Sequence, residues 1–206
     1  IMGDAYTLPF ADSFAGGKLA YGMWYSEKTG ANGFALSDKT SADNDGGCVS
    51  FQAAEAKAIA SFCSGKIALN GCDSPVLTFD YYVQPGSEDI LLAEINRAYI
   101  DTTAVMTIDF SKETGAAGWR HAVVSLQQFK QAPYIQLAFL SQIAKAGNAV
   151  TIDNIKIENN PELSVNGIMA DTANDKKVYD LAGRLQKSES LHKGIYIKGG
   201  KKIVVK

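Results

Sequence analysis

The sequence predicts an all-β protein, a two-sheet antiparallel jelly-roll sandwich followed by a small C-terminal β unit. Two observations carry this. Segments in which apolar and polar residues alternate recur at spacings of about a dozen residues, with turn-rich pieces between them. The charge balance also changes sign near the end of the chain.

The clearest element is PVLTFDYYV (75–83). Leu77, Phe79, Tyr81 and Val83 share one side, and Val76, Thr78, Asp80 and Tyr82 the other, as in a strand with one buried face. DILLAEINR (89–97), TAVMTIDF (103–110), WRHAVVSL (119–126), YIQLAFL (134–140) and VTIDNIKI (150–157) follow the same period. QPGSE, SKETGAAG and KAGN supply the turns. Two pieces have helix-forming composition: AAEAKAIASF (53–62), expected mainly as strand, and SQIAKAG (141–147), expected as loop. Pro, Asn and Asp break the rhythm in NNPELSVNGIMADTAND, which places a linker at 159–175 between a domain at 1–158 and a unit at 176–206.

The formal net charge of -2 hides two opposed parts. From Lys176 onward there are nine Lys/Arg against two Asp/Glu, leaving 11 basic and 20 acidic residues before it. The tail lysines are spread over strand-like runs with little aromatic interleaving, which disfavours nucleic acid and fits lysines solvating the edges of a small sheet. No apolar run approaches the roughly 20 residues of a membrane-spanning helix. The chain opens on Ile1 with no charged and apolar leader, and is read as cut from a longer precursor. Cys48, Cys63 and Cys72 form no C-x-x-C, against a thiolate zinc site. Either Cys63 and Cys72 bridge a short loop or all three pack as small apolar residues.

LPFADSFAGG, ADNDGGCVSF (42–51), SGKIALNGCDSPVLTFDYY (64–82), GWRHAVVSLQQFKQAPYIQLAF (118–139) and VTIDNIKI occur in an order that resembles choice-of-anchor J domains. These are similar to the cleaved-adhesin domains of gingipain-type surface proteins and, more remotely, to MAM domains. The resemblance implies a jelly roll on exported surface proteins, used for adhesion or glycan binding. VYDLAGRLQKSESLHKGIYIKGGKKIVVK (178–206) resembles the C-terminal sorting domain of type IX secretion substrates, which implies recognition by that export machinery and a secreted or outer-surface location.

Asp43 and Asp45, two apart before glycines, can converge on one cation in an irregular loop, with oxygen chemistry suited to calcium. The resemblance adds Asp12 and Asp153, at the positions where related jelly rolls hold a structural calcium between first and last strands. The competing account makes these aspartates turn formers and backbone acceptors. For ligands, aromatic rings that stack on sugars are the candidates. Alternation leaves only one of Tyr81 and Tyr82 for the core, so Tyr82 faces outward with Asp80, and Tyr25 is a second candidate. Trp24, Tyr99, Trp119 and Tyr134 belong to the same inventory of stacking candidates, with Trp24 and Trp119 expected in the core by the same resemblance. His121 and His192 form no metalloprotease motif or nucleophile–base pair. The expected function is therefore a non-catalytic adhesion or glycan-binding module, its partner an extracellular glycan or a host or matrix protein. The alternatives are a glycoside hydrolase or lyase on the same scaffold, which needs two facing carboxylates, and a structural spacer.

Overall fold

A computed structural model describes residues 3–22, 24–29, 32–38 and 40–163, and beyond them four short strands. The chain divides into two compact units, residues 1–164 and 165–206. In the first unit the strands are β1 (Phe10–Asp12), β2 (Tyr25–Thr29), β3 (Ala35–Ser37), β4 (Cys48–Gln52), β5 (Ala58–Cys63), β6 (Pro75–Val83), β7 (Ile90–Arg97), β8 (Asp101–Asp109), β9 (Gly118–Ser125), β10 (Ile135–Ile143) and β11 (Ala149–Asn159). One sheet has the order β3-β4-β11-β6-β9, with β1 also on β11; the other has the order β2-β5-β10-β7-β8. The pairings between these strands are antiparallel, and the chain crosses repeatedly from sheet to sheet, giving a jelly-roll sandwich.

The alternation in the sequence becomes the core. Leu77, Phe79, Tyr81 and Val83 of β6 meet Leu137 and Phe139 of β10, all buried. Phe79 and Phe139 pack edge-to-face at 4.9 Å, and Trp24 stacks on Phe62 at 4.5 Å, contacts worth about 0.5–1.5 kcal/mol each beyond burial. Trp24 is thus a core aromatic. The strand in 53–62 begins only at Ala58, after a turn. β10 runs into the expected loop as far as Ile143, because Ser141 and Ile143 pair with Ala60 and Ala58 of β5; sheet pairing overrides the helix-forming composition. The three cysteines are free and buried, and burial pushes their thiol pKa values up, so the bridged alternative for Cys63 and Cys72 is not realised.

Most of the linker expected at 159–175 lies outside the described residues. In the second unit β12 (Val178–Asp180), β13 (Leu185–Gln186), β14 (Gly194–Lys198) and β15 (Lys201–Val205) form an antiparallel sheet in the order β13-β12-β14-β15.

The hairpin between β7 and β8 is strained. Ala98 and Tyr99 both hold positive φ, 48° and 63°, closed by a 2.8 Å bond from Ile100 N–H to Arg97 C=O. A primed turn of this kind favours Asn-Gly, since a left-handed Ala costs about 1–2 kcal/mol. Ala98→Asn is therefore expected to stabilise the first unit by about 0.5–1 kcal/mol, read as a raised urea midpoint with an unchanged slope.

Candidate functional site

The outward face of the β3-β4-β11-β6-β9 sheet carries two adjoining rows of side chains. Registers Ala35↔Ser50, Ser50↔Thr151, Thr151↔Tyr82 and Tyr82↔Trp119 set the first straight across five strands. Its neighbour places Asp153 opposite Asp80 and Asp80 opposite His121. Tyr81 is buried and Tyr82 only half-buried, as alternation demands. Trp119 is not core: half-buried, it packs edge-to-face on Tyr82 at 5.5 Å. Ala122 fills the core side of β9, three residues from Trp119, so the same period that turned Tyr82 outward turns Trp119 outward too.

The loop 40–47 lies over one end of this face and makes a groove of about 680 Å³ lined by Thr40, Ser41, Asn44, Gly46, Tyr82, Gln84, Trp119, Ala149 and Thr151. The loop is tied to itself and to its surroundings by short bonds. Asp43 and Asp45 accept from the backbone N–H groups of Asp45 and Gly47 at 3.2 and 3.1 Å, and Ser41 Oγ accepts from Gly46 N–H at 3.2 Å. Gly16 N–H reaches the Asp45 carbonyl at 3.3 Å. A Cβ at Gly47 would lie 1.7 Å from the Phe14 carbonyl oxygen, so this close approach admits only glycine.

The anchor of the loop is Asp153. Its carboxylate is fully buried and accepts from Ala42 N–H and from Asn154 N–H, each at 2.7 Å. Asn154 holds φ 48° at a bulge where β11 slips against β6, and the bulge turns the backbone N–H of Asn154 onto the carboxylate beside it. Ligand oxygens of Asp43, Asp45 and Asp153 lie within 4.8 Å of one another. Burial first, then the charges of Asp43 and Asp45, push the Asp153 carboxyl up to about 6 against the lowering effect of its two N–H donors. Three hard oxygen donors with uncompensated charge fit calcium.

Asp12 does not join them. It lies on the same side of β1 as the core residue Phe10, where its oxygens accept from Phe14 N–H, Ala20 N–H and Trp24 Nε1–H at 3.1, 3.1 and 2.9 Å. Strand alternation separates it from Asp153, which faces outward, and its role is to brace the turn after β1. Asp80 binds His121 Nδ1 at 2.6 Å and Asn154 Nδ2 at 2.9 Å, within a polar cluster beside the aromatic row. Tyr25 is 38% exposed on β2, in the opposite sheet, with its hydroxyl pushed up to about 12 by partial burial and by neighbouring Cys63. The structure therefore brings Tyr82 and Asp80 to one face and leaves Tyr25 on another. Gln84, Thr151 and the loop hydroxyls of Thr40 and Ser41 were missed in the sequence; alternation two residues beyond Tyr82 was the signal for Gln84, while Thr151 joins the row only through the pairing of β11 with β6.

No protein-family model matches the chain, and no curated protein matches it. Solved structures do. The K1 cleaved adhesin domain of Lys-gingipain from Porphyromonas gingivalis W83 is 17% identical, with a TM-score of 0.58 over 74% of this chain and 98% of that one. TmCBM61 in complex with β-1,4-galactotriose is 12% identical, with a TM-score of 0.56 over 72% and 95%. Caldicellulosiruptor saccharolyticus CBM27-1 in complex with mannohexaose is 12% identical, with a TM-score of 0.52 over 74% and 97%. At these identities the likeness establishes the β-sandwich fold of the first unit.

The Asp153 shift has a sign that can be tested. Its folded pKa, about 6, stands above the ordinary aspartate value of 3.8, so the neutral acid is the form the fold favours. The resulting stabilisation is complete below the unfolded pKa and is lost as pH rises through the folded one. In chelator, wild type should lose up to about 3 kcal/mol relative to Asp153→Asn between about pH 4 and pH 7, measured by urea midpoints. Parallel pH profiles for the two proteins would contradict the account.

Proposed function

We propose that residues 1–158 form a non-catalytic glycan-binding or adhesion module of an exported bacterial surface protein, and that the groove over the Thr151–Tyr82–Trp119 row holds the ligand. The observation that carries this is the aromatic pair. Tyr82 and Trp119 stand half-buried on an outward sheet face, fixed by β6 and β9, beside neutral hydroxyl and amide groups. Rigid rings offer a sugar a large contact at low conformational cost, while hydroxyls and amides read its hydroxyl groups. The fold likeness supports the same reading, since an adhesin domain and modules solved with galactotriose and mannohexaose share the sandwich. The hydrolase alternative has less support: among the described residues no carboxylate lines this groove, and glycosidases use two across the scissile bond.

Calcium belongs to this proposal through Asp43, Asp45 and Asp153. Bound there, it would supply charge compensation to three clustered carboxylates and pin the loop that forms one wall of the groove. For the tail, the proposal rests on the resemblance of 178–206 to type IX sorting domains: the second unit serves export and surface attachment. The partner is then an extracellular glycan or a host or matrix protein.

Two measurements test these statements on the full chain. In a glycan-array screen followed by calorimetry, Trp119→Ala and Tyr82→Ala should each weaken binding at least tenfold, about 1.4 kcal/mol, with unchanged circular dichroism. Binding untouched by both variants would remove the groove from the account. Millimolar calcium should raise the melting temperature above its value in chelator, and Asp43→Asn should shrink the rise. An identical melt in calcium and in chelator would sink the cation.

A further inference from the structure

The walls of the groove and the ground behind them differ in charge. Among the described residues, none that lines the groove is charged. Ser41 and Asn44 on the loop side and Gln84 and Thr151 on the sheet side offer hydroxyls and amides, which donate and accept without selecting for ionic partners. Behind this lining the charge is of one sign. Asp43 and Asp45 belong to the loop that contributes Ser41 and Asn44. Asp153 follows Thr151 by two residues on β11, and Asp80 precedes Tyr82 by two on β6, each about 7 Å along the same strand face.

The described cations nearby do not balance these carboxylates. His121, the other titratable group in the Asp153–Asp80 row, is already paired with Asp80 at 2.6 Å. Lys156, farther along β11, pairs with Glu158 at 2.7 Å. Arg120 next to Trp119 alternates to the Tyr81 side of β9 and gives its guanidinium to the Trp119 and Ala116 carbonyls at 3.1 and 2.8 Å. Among the described residues, therefore, no lysine or arginine lines the groove, and beside it stand three carboxylates with no ion-pair partner, Asp43, Asp45 and Asp153, and a fourth, Asp80, that is bonded to His121. At physiological ionic strength the screening length is about 8 Å, so their field reaches a ligand stacked on Trp119.

We propose that this groove selects neutral saccharides and rejects anionic ones, namely those carrying uronate, sialate or sulfate groups. The proposal rests on the reading of the groove as a glycan site and specifies its ligand class. A neutral sugar meets only stacking faces and uncharged hydrogen-bond partners. An acidic sugar would bring a like charge toward these carboxylates, and among the described residues the groove offers no arginine fork in return. A calcium ion on Asp43, Asp45 and Asp153 would offset two of their three charges, which narrows the discrimination without reversing it.

The test uses the full chain on an array that carries neutral oligosaccharides beside otherwise matched ones bearing uronate, sialate or sulfate. It is run in chelator and in calcium, at about 50 mM and about 500 mM salt. The expected result is binding to a neutral oligosaccharide at least tenfold tighter than to its acidic counterpart at low salt, with the gap narrowing at high salt and in Asp43→Asn. Equal or tighter binding of the acidic member would overturn the proposal and leave the glycan reading intact. A gap that ignores both salt and Asp43→Asn would overturn its electrostatic basis. A blank array in both cation conditions would overturn the glycan reading and the proposal with it.

Discussion

The carboxylate of Asp153 is the contact on which the candidate site depends. It is fully buried on the outward side of β11, and one of its oxygens accepts the Ala42 N–H at 2.7 Å across 111 positions of sequence. That bond ties the loop 40–47 to the sheet, and the loop in turn is one wall of the groove. Such an anchor is costly. Burial and two neighbouring carboxylates push its pKa up to about 6, so the charged form present at neutral pH is held at a cost in desolvation and repulsion. The bulge at Asn154 sharpens the arrangement, because the slipped register lets Asn154 donate both its backbone N–H to Asp153 and its side-chain amide to Asp80. One irregular residue thus links the acidic cluster under the loop to the polar row beside the aromatic pair.

The division of labour within the sheet follows from the two-residue period. The inner faces of β6, β9 and β11 bury aliphatic and aromatic residues against the second sheet, and this packing is indifferent to what stands outside. The outer faces are then free to carry Thr151, Tyr82 and Trp119 in one straight register. Thr151 and Tyr82 rest on central strands and Trp119 on the edge strand β9 paired to β6, so the spacing of the row is set by the ladder of backbone hydrogen bonds, and only the loop wall needs a separate anchor. Gly47 completes that anchor, since its missing Cβ lets the loop close onto the Phe14 carbonyl.

The sandwich was legible from alternation, and so was the choice between Tyr81 and Tyr82, because both depend on a local period. Trp119 was equally open to that argument: Ala122 marks the core side of β9, but the expectation followed a family's habit of burying aromatics in place of the local pattern. The loop 40–47 was legible as acidic and glycine-rich, and Asp43, Asp45 and Asp153 do meet there. What no local pattern could supply was long-range closure. The bond from Ala42 to Asp153, the bulge that aims it and the removal of Asp12 to the core side of β1 depend on register between strands far apart in sequence. Tyr25 fails as a partner of Tyr82 for the same reason, since sheet membership is decided by pairing and not by composition.

The most direct measurement is a nuclear magnetic resonance titration of the labelled protein with an oligosaccharide it binds, following backbone amides and the two tryptophan side-chain N–H signals. The account predicts shifts confined to the loop 40–47, Tyr82, Gln84, Thr151 and the Trp119 indole, with the Trp24 indole, buried against Phe62 and bonded to Asp12, left unmoved. Shifts gathered instead around Tyr25, Cys63 and Glu94 on the opposite sheet would contradict it, because they would place the ligand on the face this account leaves empty.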